Sequence, residues 1–157
     1  MQVRITQLPA VRVAYMRHIG PYGLPINQFW NQTFVPWAQA QGLLPGASCY
    51  GIGQDDPHIT PAAQCRYDAC VAVPDDFVAK GSASIAILPG GRYAVAAFTG
   101  TVPQLSLAWT ELLRDWLPAS GMQMDGRPLF EHMPPDTPYD PATGVFRCEL
   151  CIPVKPL

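Results

Sequence analysis

Apolar residues recur along this chain at two periods, and the switches between them mark its elements. Over 11–19 and again over 91–99 they follow strand patterns, with Gly20-Pro21 and Gly90-Gly91 as turn signals at the edges. Between 26 and 38 the spacing changes to three and four. Ile26, Phe29, Trp30, Thr33, Phe34, Trp37 and Ala38 then share one helical face. Pro36 lies inside that stretch, where a missing backbone donor predicts a kink. Leu105, Ala108, Trp109, Leu112, Leu113, Trp116 and Leu117 form a second helical face. It opens on a capping box, Thr101-Val102-Pro103-Gln104, and Pro118 and Gly121 predict its end. Two strands are expected after each helix, near 47–53 and 66–73 and near 128–133 and 145–153, with a short one near 83–88. The connections near 54–64 and 134–144 are rich in Pro and Asp and read as surface loops.

The same order of signals is written twice, about eighty positions apart. Trp30, Trp37 and Gly42 recur at identical spacing as Trp109, Trp116 and Gly121. Arg66-Tyr67-Asp68-Ala69-Cys70-Val71 returns as Arg147-Cys148-Glu149-Leu150-Cys151-Ile152, an Arg-x-acid-x-Cys-aliphatic pattern. The chain is therefore expected to be one domain of two repeats, about 1–80 and 81–157, each a β-α-β-β unit. Two such units predict an α+β fold: a mostly antiparallel sheet, two long helices, and a ligand groove at the pseudo-twofold seam.

Composition narrows the function. Of 157 residues, 48% are hydrophobic and only 14% charged, so a carboxylate on an apolar face stands out. The net charge is -2 with no Lys/Arg run, which gives direct nucleic-acid binding no footprint. Met1–Gln7 does not read as a signal peptide, and no stretch is long enough for a membrane span; a cytoplasmic protein with reduced thiols is expected. Cys148 and Cys151 have CxxC spacing, but on a strand they point to opposite faces, which excludes a shared zinc. No metal or cofactor is expected. His58, in the loop segment Asp55-Asp56-Pro57-His58, has no spaced partner, and no Ser-His-Asp or Cys-His signature is visible.

The ordered set of Thr60-Pro61, Arg66-Tyr67-Asp68, Gly90-Gly91-Arg92-Tyr93-Ala94-Val95, Pro128-Leu129-Phe130-Glu131 and Cys148–Val154 resembles the GyrI-like small-molecule-binding domain. This is also the effector-binding domain of AraC-type activators. The resemblance runs from about Val3 to Val154. It implies a groove between the repeats that takes amphipathic, often cationic, organic molecules. In regulators the domain is fused to a helix-turn-helix segment; this chain opens directly on its first strand, so no DNA-reading unit is expected. The resemblance also implies, as alternatives, a gyrase-directed interaction, action with a separate regulator, or hydrolysis of strained-ring metabolites.

Glu131 is the leading site candidate. Period two places it with Leu129 and Met133 on an apolar face, where a carboxylate needs a partner. Its counterpart in the first half is about Gly51, so the acid breaks the repeat. The resemblance points to the same residue as the one that meets a cation; a glutamate in an apolar pocket can also act as general acid or base, which keeps a hydrolase as the alternative. Trp37 and Trp116 are expected in the core, whereas Trp30 and Trp109, nearer the starts of their helices, are candidates to line the groove. An aromatic face beside a carboxylate suits an organic cation. Tyr22, Tyr50 and Tyr67 are further candidates. Asp68 and Glu149 face away from the flanking apolar residues of their strands, which leaves surface ion pairs and a pocket role both open. The resemblance places Glu149 in the groove.

Overall fold

Strands with alternating faces and helices with one apolar stripe hide that surface when the helices pack on a sheet. The computed structural model, which describes residues 1–137 and 142–157, has this α+β architecture. Nine strands are present among the described residues. They are β1 (Val3–Leu8), β2 (Val11–Ile19), β3 (Cys49–Gly53), β4 (Arg66–Ala72), β5 (Ser84–Leu88), β6 (Gly91–Gly100), β7 (Met122–Met124), β8 (Phe130–Met133) and β9 (Phe146–Pro156). Eight run in the antiparallel order β1-β6-β9-β8-β3-β4-β2-β5, and β7 adds to the far end of β9. The expected loop near 134–144 includes residues 138–141, which lie outside the described residues.

Both faces of the sheet are buried, for different reasons. On one face Tyr67, Ala69 and Val71 of β4 pack under the first helical run, and Cys148, Leu150 and Ile152 of β9 under the second. On the other face the sheet curls into a half-barrel over Val13, Tyr50, Cys70, Tyr93, Val95, Phe130 and Cys151. Cys148 and Cys151 therefore belong to separate cores, as strand alternation requires.

Each helical run is α-helical at both ends and π-helical in the middle. The first comprises α1 (Leu24–Phe29), a π segment Trp30–Phe34 and α2 (Val35–Ala40). The second comprises α3 (Val102–Thr110), a π segment Glu111–Trp116 and α4 (Leu117–Ala119). Proline explains both. A proline ring collides with the carbonyl four residues back, and widening the turn relieves the collision. The residue before each proline accordingly bonds five back, Val35 to the Trp30 carbonyl and Leu117 to the Leu112 carbonyl. The expected kink at Pro36 thus appears as a wide turn. The expected stop at Pro118 is corrected: the helix passes through it to Ala119. Both runs are followed by a glycine at positive φ, Gly42 at 74° and Gly121 at 75°. The capping box forms, with the Gln104 side chain accepting from the Thr101 N–H at 2.8 Å.

Two strands were not expected from the pattern, β1 and β7. β1 is an edge strand with no neighbour but β6, a partner some ninety residues away, so its local pattern is only half constrained. Its mirror is β5, which pairs only with β2. The opening strand of each half is thus lent to the other half. The two lent strands are reached by turns that cross in direct contact: a Cβ at Gly90 would lie 2.6 Å from both the Leu8 carbonyl oxygen and the Ala10 nitrogen. Arg127 fastens the crossing by donating to the Gly90 carbonyl (3.0 Å) and the Arg92 carbonyl (2.9 Å), with its guanidinium over the Tyr93 ring. Because the atoms against Gly90 are backbone, they cannot move aside. Gly90→Ala is expected to lower unfolding free energy by about 1–3 kcal/mol in urea titrations. Gly126→Ala, where no atom lies within 4 Å, should change it little.

Candidate functional site

The two halves meet where β3 pairs with β8 over three positions: Cys49 with Met133, Tyr50 with His132, and Gly51 with Glu131. Above this seam the helical runs stand apart and leave a cleft of about 1240 Å³. Tyr22, Trp30 and Tyr67 line it from the first half, and Trp109, Leu129, Glu131 and Met133 from the second. Alternation along β8 puts Leu129, Glu131 and Met133 together, as the sequence predicts, and turns His132 to the opposite face.

Four of the expected site residues, Trp109, Tyr67, Trp30 and Tyr22, gather around the carboxylate of a fifth, Glu131. The Trp109 indole donates to Glu131 Oε2 at 3.0 Å, and the Tyr67 phenol donates to Oε1 at 3.3 Å. The Tyr67 oxygen in turn accepts from the Trp30 indole at 3.1 Å. The tryptophans at matching positions of the two helices thus reach the same group, one directly and one through Tyr67. Tyr22 stands edge-on to Tyr67, with ring centres 6.2 Å apart. Its own phenol is anchored outside the cluster, donating to the Arg66 carbonyl and accepting from the Asp55 N–H at 3.2 Å. Glu131 has no cationic partner among the described residues.

Two glycines make room for these rings. A Cβ at Gly51 would lie 1.8 Å from the Tyr67 oxygen and 3.1 Å from Glu131 Oε1, and one at Gly53 would lie 3.6 Å from the Tyr22 ring. Their spacing, Gly-x-Gly within a strand, is a sequence signal for the close approach of neighbouring side chains. The seam also shows how β8 has room for the larger side chain. Gly51 faces Glu131, and the strand residue diagonal to each is Tyr67 in one case and Cys148 in the other. A small residue under a large one is exchanged for a large one beside a small one, so the same space is filled once from each strand.

Tyr50 and Glu149 are placed elsewhere, which corrects the expectation that they line the groove. Tyr50 alternates with Gly51 and is buried in the half-barrel core, stacked on His132 at 4.9 Å. Glu149 lies on the same far face, accepting from Arg4 at 2.7 Å and hydrogen-bonded to His132 Nδ1 at 2.9 Å. Burial works to raise its pKa, but these bonds outweigh burial and hold it below the ordinary range. Asp68 is its counterpart, held by both Arg17 Nε (2.8 Å) and Nη2 (2.9 Å) and by Gln54 (3.0 Å). The two repeated acids are thus ion-paired on the face away from the cleft. His132 Nε2 also meets Ser48 Oγ at 3.1 Å. This Ser–His–Glu line, invisible in a sequence that separates its members widely, ties β3, β8 and β9 together behind the seam. Among the described residues no group of three His, Cys, Asp or Glu side chains is placed to hold a metal. Cys49 lines the cleft, but burial pushes its thiol up to about 11, which disfavours the thiolate.

Burial raises the Glu131 carboxyl above its usual range, against the lowering pull of the Trp109 and Tyr67 hydrogen bonds. Tyr67, also raised by burial and by Glu131, stays a neutral donor. A carboxyl raised on folding favours the folded state while protonated. That contribution is complete below its unfolded value of about 4.3 and is lost as pH rises through the folded one. Glu131→Gln, neutral at every pH, is therefore expected to melt above wild type at pH 7. The difference should vanish by about pH 4, and thermal melts at the two pH values check this. A gain that persists in acid would mean that burial of charge is not the cause.

A model of the GyrI-like small molecule binding domain matches residues 1–155. YosT, an SPbeta prophage-derived protein of Bacillus subtilis (strain 168) named as a transcriptional regulator, is 37% identical over 155 residues, covering 99% of this chain and 100% of its own. A DNA gyrase inhibitor of Serratia proteamaculans (strain 568) is 32% identical, with 99% of each chain covered. Among solved structures, the EcmrR C-terminal domain superposes with a TM-score of 0.76 at 16% identity, covering 99% of this chain and 98% of that one. The chain spans 58% of the EcmrR chain seen in its DNA complex. SAV2435 bound to tetraphenylphosphonium gives a TM-score of 0.59 at 17% identity, covering 99% of this chain and 94% of that one, a likeness of fold. This chain belongs to the GyrI-like small molecule binding domain family.

Proposed function

We propose that the cleft over Glu131 binds hydrophobic aromatic cations. One observation carries this reading: a carboxylate with a raised pKa lies among aromatic rings, with no cation of the described protein beside it. A bound cation would supply the missing charge, and Trp30, Trp109, Tyr22 and Tyr67 would offer flat faces or edges to its rings. Both Glu131 oxygens are already held by fixed donors. That arrangement suits holding a positive charge more than moving a proton, and it favours binding over hydrolysis of strained-ring molecules. The chain is further read as two repeats, about 1–80 and 81–157, whose seam is the site. SAV2435, named above with tetraphenylphosphonium, suggests the probe.

Titration of tetraphenylphosphonium into wild type, followed by calorimetry, is expected to show saturable binding. Glu131→Gln should weaken it about tenfold or more, the loss expected when a buried charge pair loses one partner. Glu149→Gln, on the other face, should leave the affinity within about twofold. Equal binding by wild type and Glu131→Gln would remove Glu131 from the site. A partner role is a second reading, resting on the relatives named DNA gyrase inhibitors. Inhibition of gyrase supercoiling by the purified chain would support it, and activity unchanged at excess protein would not.

A further inference from the structure

We propose that Ser48, His132 and Glu149 form a hydrolytic site for small esters on the far face of the sheet, separate from the cleft and beyond the binding reading above. Three neighbouring strands bring them together. His132 of β8 pairs with Tyr50 of β3 on one side and with Glu149 of β9 on the other. Alternation turns these side chains to the face opposite Glu131, and Ser48, two residues before Tyr50, joins them. Glu149 meets the His132 ring at Nδ1 (2.9 Å), and Ser48 Oγ meets it at Nε2 (3.1 Å). Burial works against the charge of Glu149, yet the bonds from Arg4 and His132 hold it below the ordinary carboxylate range. It is therefore ionised near neutral pH and can only accept. Nδ1 of the neutral ring then carries the hydrogen, and Nε2 has the lone pair that accepts from the Ser48 hydroxyl. A nucleophile, a base and an acid that orients the base are thus linked in the order that acyl transfer requires.

The three side chains are held in place and open to solvent. His132 stacks on the Tyr50 ring, with 4.9 Å between centres and 13° between planes, so its two nitrogens keep their directions. The Ser48 carbonyl accepts from the Ala72 N–H at 2.9 Å, which fixes the backbone at the nucleophile. The His132 and Glu149 side chains are 22% and 26% exposed and Ser48 is half-buried, so a small molecule can reach them. The Ser48 N–H has no acceptor among the described residues, and a donor on the nucleophile's own residue can receive the oxyanion. In the reaction, Ser48 Oγ attacks the ester carbonyl carbon and its proton passes to His132 Nε2. The carbon–oxygen bond to the alcohol then breaks, and the alcohol leaves with that proton. Water, deprotonated by His132, attacks the acylated Ser48, releases the carboxylic acid and restores the hydroxyl. Ester and water become acid and alcohol, with no other reactant. Tyr50 and Phe130 fill the half-barrel beside His132, which favours a short acyl group such as acetyl.

Hydrolysis of p-nitrophenyl acetate by the purified chain tests this, with thermal melts to confirm that each variant is folded. Wild type is expected to turn the ester over, and Ser48→Ala should lower kcat about a hundredfold or more. Glu149 touches no substrate and acts through His132. Glu149→Gln should therefore lower kcat about tenfold or more with KM within about twofold. A purely structural role would leave kcat per folded molecule unchanged, and that result overturns the three-residue arrangement. Wild type is also treated with a fluorophosphonate, which loses fluoride to an activated serine, and its peptides are mapped by mass. The adduct is expected on Ser48, and this arm needs no variant to fold. Absence of an adduct on Ser48, or equal turnover by wild type and folded Ser48→Ala, overturns the site.

Discussion

A carboxylate at the floor of an apolar cleft costs free energy to keep charged, and the structure around Glu131 is organised by that cost. Its donors are set by the packing around them. The Trp109 indole is set by a helix whose apolar stripe is packed on β9, and the Tyr67 phenol is fixed over Gly51, where no larger residue fits. Trp30 fixes Tyr67 from the other helix. Each of these positions requires the β3–β8 seam to bring Gly51 opposite Glu131. The desolvation that makes the acid unfavourable is also what would make a bound cation favourable, as the proposed function requires.

The two helical runs carry tryptophans at the same spacing, and the carboxylate between them comes from one strand, β8. Matching tryptophans on matching helices, each with a π segment ahead of a proline, flank a sheet whose opening strands are exchanged between halves. Within that frame, Gly51 and Tyr67 answer Glu131 and Cys148. That exchange fits locally by volume and leaves the Glu131 carboxylate at the seam. The repeated acids Asp68 and Glu149 show the opposite case. Both are retained, both take an arginine, and both lie on the far face, where they bind strands together.

Much of the frame was legible in the sequence because it rests on local periodicity. Alternation in β8 put Glu131 with Leu129 and Met133; helical spacing marked both tryptophan faces; CxxC on a strand excluded convergence. Local signals failed where an outcome depends on distant chain. The pairing of β1 with β6 and of β5 with β2 has no local cause, and Pro118 reads as a stop until a wide turn behind it absorbs the clash.

The residue types, their faces and the one-sided acid were determined by the sequence alone, since period and register follow from backbone geometry. Which face of the sheet the helices cover was decided only by tertiary packing. Alternation says that Glu149 and Cys148 point apart, as do Tyr50 and Gly51, but it is silent on which of each pair is roofed. That choice, made by the summed burial of two helical stripes against β4 and β9, sends Glu131, Tyr67, Trp30 and Trp109 into the cleft and Tyr50, Asp68 and Glu149 behind it.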